Sequence, residues 1–482
     1  MRRRSPIDVA DGALGQVVER LTRSHHRRRL RRVGASAAID PGPGLWAGGD
    51  PPPRAGNAFD VLIDGADALQ AMARAIAEAR SSVHITGWHI TPDFAMTRGE
   101  RPTIVRQLLA DVATRIPVRV LIWAGAPVPA LRPWRGDLRK VREQLMAGTR
   151  IRCALDARER PMHCHHEKTI VVDGRIAFVG GIDLTSFNGD RWDTQRHPAR
   201  GALGWHDAAA RIAGPAVQDV ADSFAMRWQA ITGETLPPVQ QPEAAGEIEV
   251  QVVRTVPNGM YRQRPHGDFR ILESYLRALR AARSFIYLEN QFLWSPEIVA
   301  VLRDKLTRPP SNDFRLVLVL PARPDKGGDD TRGQLGTLVQ ADGDAGRLLA
   351  CTLYAVGGDR DWPVYVHAKV GIVDDAWMTI GSANLNEHSL FNDTEMNLVT
   401  CDGELVRDTR LRLWAAHLEL SPQDLADNPT TIIDRKWKPR AEEQGERRKR
   451  GARFTHQLTT LPGVSRRSRL LLGPLQGLVV DA

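Results

Sequence analysis

The chain has 482 residues, 42% of them hydrophobic and 26% charged with both signs mixed. This excludes a disordered polyelectrolyte and, at about 150 residues per domain, allows two large domains or three ordinary ones. The net charge of +9 is concentrated in short basic runs near the ends, and four cysteines without a CxxC pair exclude a disulfide framework and imply free thiols in a reducing compartment.

Residues 1–55 read as a basic, Gly/Pro-rich appendage. It holds basic runs at 2–4 and 25–32 and a loop at 41–53 (PGPGLWAGGDPPP). Its start lacks the apolar run of about 7–15 residues that a secretory signal needs. A first α/β repeat is expected over 56–240. Leu69, Met72, Ala73, Ile76 and Ala77 recur at helical spacing, the β-rich run 82–90 (SVHITGWHI) follows, and 118–123 (VRVLIW) supplies a further strand. The stretch 235–246 (TLPPVQQPEAAG) is a loop-like boundary. A second repeat, 247–430, copies the first. Leu272, Tyr275, Leu276 and Leu279 mark a helix, and 285–293 (FIYLENQFL) and 314–320 (FRLVLVL) mark strands. Residues 431–482 are expected to form a basic, irregular tail packed only in part, with basic runs at 435–440 and 447–450. Its apolar piece 470–480 is broken by Gly473, Pro474 and Gly477. Nothing approaches the ~20 apolar residues of a spanning helix. The expectation is a cytoplasmic monomer, at most peripheral on the inner membrane face.

The sharpest signal is a duplicated pattern. His166-Glu-Lys168-x4-Asp173 returns 201 positions later as His367-Ala-Lys369-x4-Asp374, and Gly180-Gly181 and Gly381-Ser382 keep that offset. Duplication of an α/β domain, each copy a sheet covered by helices, is the economical explanation. Side chains two apart on a strand point the same way, so each His projects with its Lys. Lysine supplies charge for the nonbridging oxygens of a phosphate; histidine supplies a nucleophile or a proton. Two copies face to face would make one pocket in which one histidine attacks phosphorus and the other protonates the leaving oxygen. A nucleophilic histidine needs a carboxylate to fix its tautomer and ring. Glu395 follows the Gly-Ser turn and opens an apolar run in the second half; Asp207, in Trp205-His206-Asp207, opens the matching strand in the first, with Asp193 in reserve. Glu289, Asn290, Gln291 and Trp88 stand where strands end beside the expected pocket, as headgroup-side or scaffold residues. The run His163-Cys164-His165-His166 has zinc-ligand chemistry, but tetrahedral sites draw ligand pairs from separate segments and no partner pair is visible in the sequence. No metal and no cofactor are expected.

The strings HHEKTIVVDGRIAFVGGIDL (165–184), RWDT (191–194), WHDAAARIAGPAV (205–217), FIYLENQFL (285–293) and VHAKVGIVDDAWMTIGSANLNEHS (366–389) resemble the phospholipase D superfamily. Within it they are more similar to the phosphatidylcholine-type phospholipases than to the short nucleases or the cardiolipin synthases. The resemblance covers roughly residues 60–420. It implies two tandem α/β/α sandwich domains with pseudo-twofold symmetry and a shared active site, and chemistry in which lysines replace a metal cation. It also implies a catalytic set of His166, Lys168, Asp173, His367, Lys369 and Asp374. In that set His166 is the nucleophile and His367 the general acid. Lys168 and Lys369 hold phosphate with Asn384, and Asp173 and Asp374 stabilise the loop after the motif. The first copy has Asp183 where Asn384 stands in the second. The implied activity is hydrolysis of the distal phosphodiester of a glycerophospholipid to phosphatidic acid and a headgroup alcohol, through a phosphatidyl-histidine and with transfer to alcohols. The alternatives are a phosphatidyltransferase, such as a cardiolipin or phosphatidylserine synthase, and a nucleic-acid phosphodiesterase. The expected partners are the lipid substrate and an anionic membrane surface met by the basic tails; the Gly-Gly-Ile-Asp and Glu-Asn-Gln strings disfavour nucleic acid.

Overall fold

The computed structural model describes residues 6–129, 131–159, 163–199, 203–322 and 328–461, so the basic run at 2–4 and the apolar piece 470–480 lie outside the described residues. Helix α1 (Pro6–Arg32) comes first. The first repeat then runs β1 (Arg54–Ile63), α2 (Asp64–Ala77), β2 (Val83–Gly87), α3 (Val105–Ala113), β3 (Val118–Trp123), α4 (Arg135–Met146), β4 (Arg152–Asp156), β5 (Thr169–Val172), β6 (Ile176–Gly180), β7 (Trp205–His206), β8 (Ala208–Ala213) and α5 (Val217–Thr232). The second runs β9 (Ile248–Val256), β10 (Asp268–Phe269), α6 (Arg270–Ala281), β11 (Phe285–Glu289), α7 (Pro296–Thr307), β12 (Arg315–Val319), α8 (Gly328–Asp342), β13 (Leu348–Ala355), β14 (Trp362–Pro363), β15 (Tyr365–Val366), β16 (Val370–Val373), β17 (Trp377–Gly381), β18 (Glu395–Thr400) and α9 (Gly403–Leu418).

Corresponding strands pair in the same order in both halves. In the first the order is β1-β8-β6-β5-β2-β3-β4. In the second it is β9-β18-β17-β16-β11-β12-β13. The last three strands of each run are parallel and the others antiparallel, which is the duplication in three dimensions. Both faces of each sheet are covered. In β5, Ile170 and Val172 enter the core formed with α2 and α3, while Val171 enters a central core shared by both halves. A strand buried on both sides needs such a continuous apolar run. The helix read from Leu69 to Ala77 is α2, whose Leu69, Met72, Ala73 and Ile76 are buried; its counterpart is α6, with Leu272, Tyr275, Leu276 and Leu279 buried.

Two stretches differ from their sequence reading. The run 25–32, read as part of an appendage, is the last part of α1. His26 and Leu30, four apart on one helix face, are buried, and Arg27, Arg28, Arg31 and Arg32 stay exposed. His26 stacks on Phe391 at 3.9 Å between ring centroids, and Arg29 donates to the Phe391 carbonyl and to Asn392 Oδ1 at 2.8 and 2.7 Å. The region after 430 is not irregular as far as residue 461. A short helix α10 (Pro429–Ile432) and a π turn (Ile433–Trp437) lead into α11 (Lys438–Lys449), and β19 (Leu458–Thr460) adds to β13. Only Ala441, Gln444 and Gly445 of α11 are buried, a stripe too small and polar to register as apolar periodicity. Among the described residues no helix is long and apolar enough to cross a membrane.

Candidate active site

Each His-x-Lys motif enters its strand through a short ladder with the opposite half. β15 runs parallel to β7, and the backbone N–H groups of His367 and Ala368 both donate to the His206 carbonyl, at 2.8 and 3.1 Å. On the other side His165 pairs with Thr394, and His166 N–H donates to the Thr394 carbonyl at 2.9 Å. The residue after His206 is Asp207 and the residue after Thr394 is Glu395. The backbone ladder therefore delivers each carboxylate to the histidine of the other half. Glu395 Oε1 lies 3.0 Å from His166 Nδ1, and Asp207 Oδ2 lies 2.6 Å from His367 Nδ1. A carboxylate on Nδ1 holds the proton there and leaves Nε2 bare for chemistry. The sequence had suggested Asp207 and Glu395 without this exchange. Asp193, the reserve, is instead 3.2 Å from His197 Nδ1.

The lysines sit in unlike surroundings. Lys168 Nζ donates to the His166 carbonyl at 2.9 Å and lies 3.2 Å from Asp183 Oδ2. Lys369 Nζ donates to the His367 carbonyl and, at 3.3 Å, to Gln291 Oε1, which also accepts from Asn384 Nδ2 at 3.3 Å. One lysine is matched by a carboxylate where the other meets an amide. Burial, then the positive charge of Lys369, Arg191, Lys168 and His166, pushes His367 well below its ordinary 6.5. Burial lifts Asp207 to about 6 against the pull of Lys369. The two directions agree on a neutral imidazole facing a carboxylate at pH 7. Burial also lifts Glu395 well above the usual range, opposed by Lys168 and by the hydroxyls of Ser382 and Ser389, which both donate to it.

Asp173 and Asp374, counted with the catalytic set, stand at the far ends of β5 and β16, about 16 Å along the strand from their lysines. Asp173 accepts from the N–H groups of Arg80, Ser81 and Ser82, and Asp374 from those of Arg283, Ser284 and Phe285. Both have positive φ, 55° and 53°. Burial raises Asp173, but the N–H groups of Ser81, Ser82 and Arg80 outweigh it and hold the carboxylate below its usual range. They clamp turns and do not touch the pocket.

Behind the pocket, Glu289 is fully buried scaffold: it accepts from His206 Nε2 at 2.8 Å, from His417 Nε2 at 2.7 Å and from the Tyr287 hydroxyl. His206 Nδ1 lies 2.8 Å from Asp64 Oδ1. The two flanking carboxylates outweigh burial and raise His206 well above 6.5. Trp88 is buried, stacks on Trp123 and donates its backbone N–H to Asp183 Oδ1 at 3.0 Å. Sequence reasoning passed over Ser382, Ser389 and Arg191. Burial brings Arg191 down to about 10 against Asp183 and Asp207, and its guanidinium lies 3.4 Å over the Trp205 ring. Its only signal was its place in RWDT. Of the run 163–166, only His166 meets Glu395. His165 contacts Thr394 and Asp156, and His163 meets His388 and Asp393 from the other half.

Residues 75–204 match the family model described as phospholipase D, and residues 275–414 the one described as cardiolipin synthase, PLD-like domain. Phospholipase D A of Dictyostelium discoideum is 25% identical over 462 residues, covering 75% of this chain and 36% of that protein. Phospholipase D alpha 4 of Arabidopsis thaliana is 24% identical over 516 residues, covering 78% and 66%. The chain thus spans between about a third and two thirds of the length of these relatives. The crystal structure of phosphatidylserine synthase from Haemophilus influenzae Rd KW20 superposes with a TM-score of 0.52 at 12% identity, over 82% of this chain and 93% of that one, a likeness of fold. With one family model matched in each half and the duplicated strand order beneath them, the chain belongs to the phospholipase D superfamily.

Proposed function

We propose that the protein is a phospholipase D that hydrolyses the distal phosphodiester of glycerophospholipids by two displacements at phosphorus. The observation that carries this reading is the pair of buried histidines, each with Nδ1 on a carboxylate of the opposite repeat, beside two buried lysines. His166 Nε2 attacks phosphorus and the P–O bond to the headgroup breaks. His367 gives its proton to the leaving alkoxide. Lys168 and Lys369, with Asn384, hold the nonbridging oxygens, and fixed charge of this kind stabilises the transition state. His367, now a base, takes a proton from water, whose oxygen displaces the imidazole and releases phosphatidic acid. His367 starts neutral because burial, and then the cations around it, disfavour its charge; an arriving phosphodiester brings negative charge that offsets those cations, and protonation of His367 accompanies substrate binding. The protein acts as a monomer at the cytoplasmic face of a membrane. There the exposed Arg27, Arg28, Arg31 and Arg32 of α1 attract anionic lipid.

The test is stereochemical. Ethanol should divert product from phosphatidic acid to phosphatidylethanol, and a substrate chiral at phosphorus should react with retention, the outcome of two inversions. Inversion would remove the phosphohistidine and leave His166 as a base. His166→Ala and His367→Ala should each abolish turnover with native circular dichroism; wild-type rates in either would end the assignment.

A further inference from the structure

Outside the histidine–lysine pocket, one group of side chains joins the two repeats without a settled hydrogen-bond pattern. His163, three residues before His166, brings Nδ1 to 2.8 Å from Nδ1 of His388 and 3.5 Å from Oδ1 of Asp393. The three ligand atoms available here lie within 4.8 Å of one another. Asp393 Oδ1 accepts the Cys164 N–H at 2.8 Å, but its Oδ2 is buried with no hydrogen-bond partner, and so is Nε2 of His388. Asp393 is fully buried and the His163 side chain 16% exposed, so the group has one wall toward solvent. Two imidazole nitrogens face to face must share a single proton, and a buried carboxylate oxygen without a donor is costly. One divalent cation removes both difficulties.

We propose that His163, His388 and Asp393 form a zinc site that staples the first repeat to the second beside the phosphate pocket. Two imidazoles and a carboxylate are zinc ligands, and three protein ligands leave a fourth position for water. Nitrogen donors of this kind disfavour magnesium and calcium, which take oxygen. A tetrahedral zinc with bonds of about 2.0–2.1 Å holds its nitrogens about 3.3 Å apart, so the rings must part by about 0.5 Å, a movement the half-buried His163 can supply. His388 coordinates through Nδ1 and keeps its proton on Nε2, its ring set T-shaped to that of Trp294 at 5.6 Å between centroids and 80° between planes. His163 moves its proton to Nε2. The cation lies outside the phosphate pocket and takes no part in bond cleavage. Its effect is to tie residue 163 to residue 393, close in the chain to His166 and to the Glu395 that orients it. The partner pair that the sequence did not reveal for His163 comes from 225 and 230 positions further on, across the interface.

The experiment uses the untagged full-length chain, stripped with chelator and dialysed. Zinc should bind at one equivalent by titration calorimetry and raise the melting temperature. Cobalt(II) should give the visible absorption of a four-coordinate nitrogen–oxygen site and be displaced by zinc. His163→Gln and His388→Gln should each weaken zinc binding by at least about a hundredfold, since loss of a ligand exceeds the roughly 10–100-fold cost of losing an outer hydrogen-bond partner. His163 is partly exposed, so its variant keeps the test valid if the His388 variant fails to fold. No zinc binding at tens of micromolar protein, or the same stoichiometry and affinity in His163→Gln, would overturn the site.

Discussion

At the scale of single residues, the chemistry rests on which atom of each imidazole carries the proton. Asp207→Asn and Glu395→Gln keep shape but let the amide present N–H to Nδ1, favouring the wrong tautomer. Each should lower kcat by roughly three to four orders of magnitude with native circular dichroism; a loss under tenfold would show that the carboxylates do not orient the histidines. The pH dependence follows from His367. As the acid of the proposed mechanism it must be protonated, and in the free protein its pKa is pushed below 6.5 by burial and by nearby cations. The alkaline limb of kcat/KM on a soluble phosphodiester should therefore lie on the acidic side of 6.5. Bound anion raises the pKa, so the alkaline limb of kcat should sit at higher pH; coincident limbs would contradict the coupling. The same depression makes protonation of the native chain unfavourable. The unfolded chain binds a proton at this residue as pH falls through about 6.5 and the native chain does not, so stability declines toward acid. Asp207 and Glu395 were legible as carboxylates opening buried strands. Their exchange between halves was not, because contacts 160 and 229 residues apart leave no local pattern. Ser382 and Ser389 were hidden for the same reason: a hydroxyl on a buried carboxylate looks in sequence like any turn serine.

At the scale of elements, apolar periodicity located α2, α6, β3 and β12 to within a residue or a few. It failed where an element packs through few or polar side chains. β7 and β15 have two residues each, and their pairing exists only because the other repeat is present. α11 shows almost no apolar face. The residue that anchors this segment is Trp437, fully buried with ring centroids 5.5 Å from Trp414 and 5.8 Å from Tyr287. Trp437→Ala should cost about 3–5 kcal/mol of stability, seen as a lower urea midpoint with unchanged slope. A midpoint within error of wild type would mean that the segment is a dispensable tail after all. Removing residues 435–482 as a block would take Trp437 and β19 out of the fold, so it cannot test membrane attraction by itself.

At the scale of the whole molecule, duplication was the most legible feature, because 201 residues separate four matched positions and the strand order repeats with them. The distribution of charge is less simple. Not every arginine adds to a basic surface: Arg227 pairs with Glu167 and Asp156, and Arg410 with Asp375, all but Asp375 buried. The outer face of α1 keeps Arg27, Arg28, Arg31 and Arg32 exposed. Replacing those four by Gln should weaken binding to vesicles rich in phosphatidylserine, with the difference shrinking as salt is raised, and leave the melting temperature near that of wild type. Equal vesicle binding by both proteins at low salt would remove the surface role of this helix.

The crossing of the carboxylates also bears on how the protein is born. His166 leaves the ribosome long before the Glu395 that will orient it, 229 residues later. At about 5–20 residues per second this is an interval of roughly 10–45 s. For most of it the nascent chain carries a His-Lys motif without the second histidine and lysine, and throughout it the motif lacks Glu395. A message read only in part, or a chain released by a stalled ribosome before residue 395, yields a fragment without the carboxylate that meets His166 Nδ1.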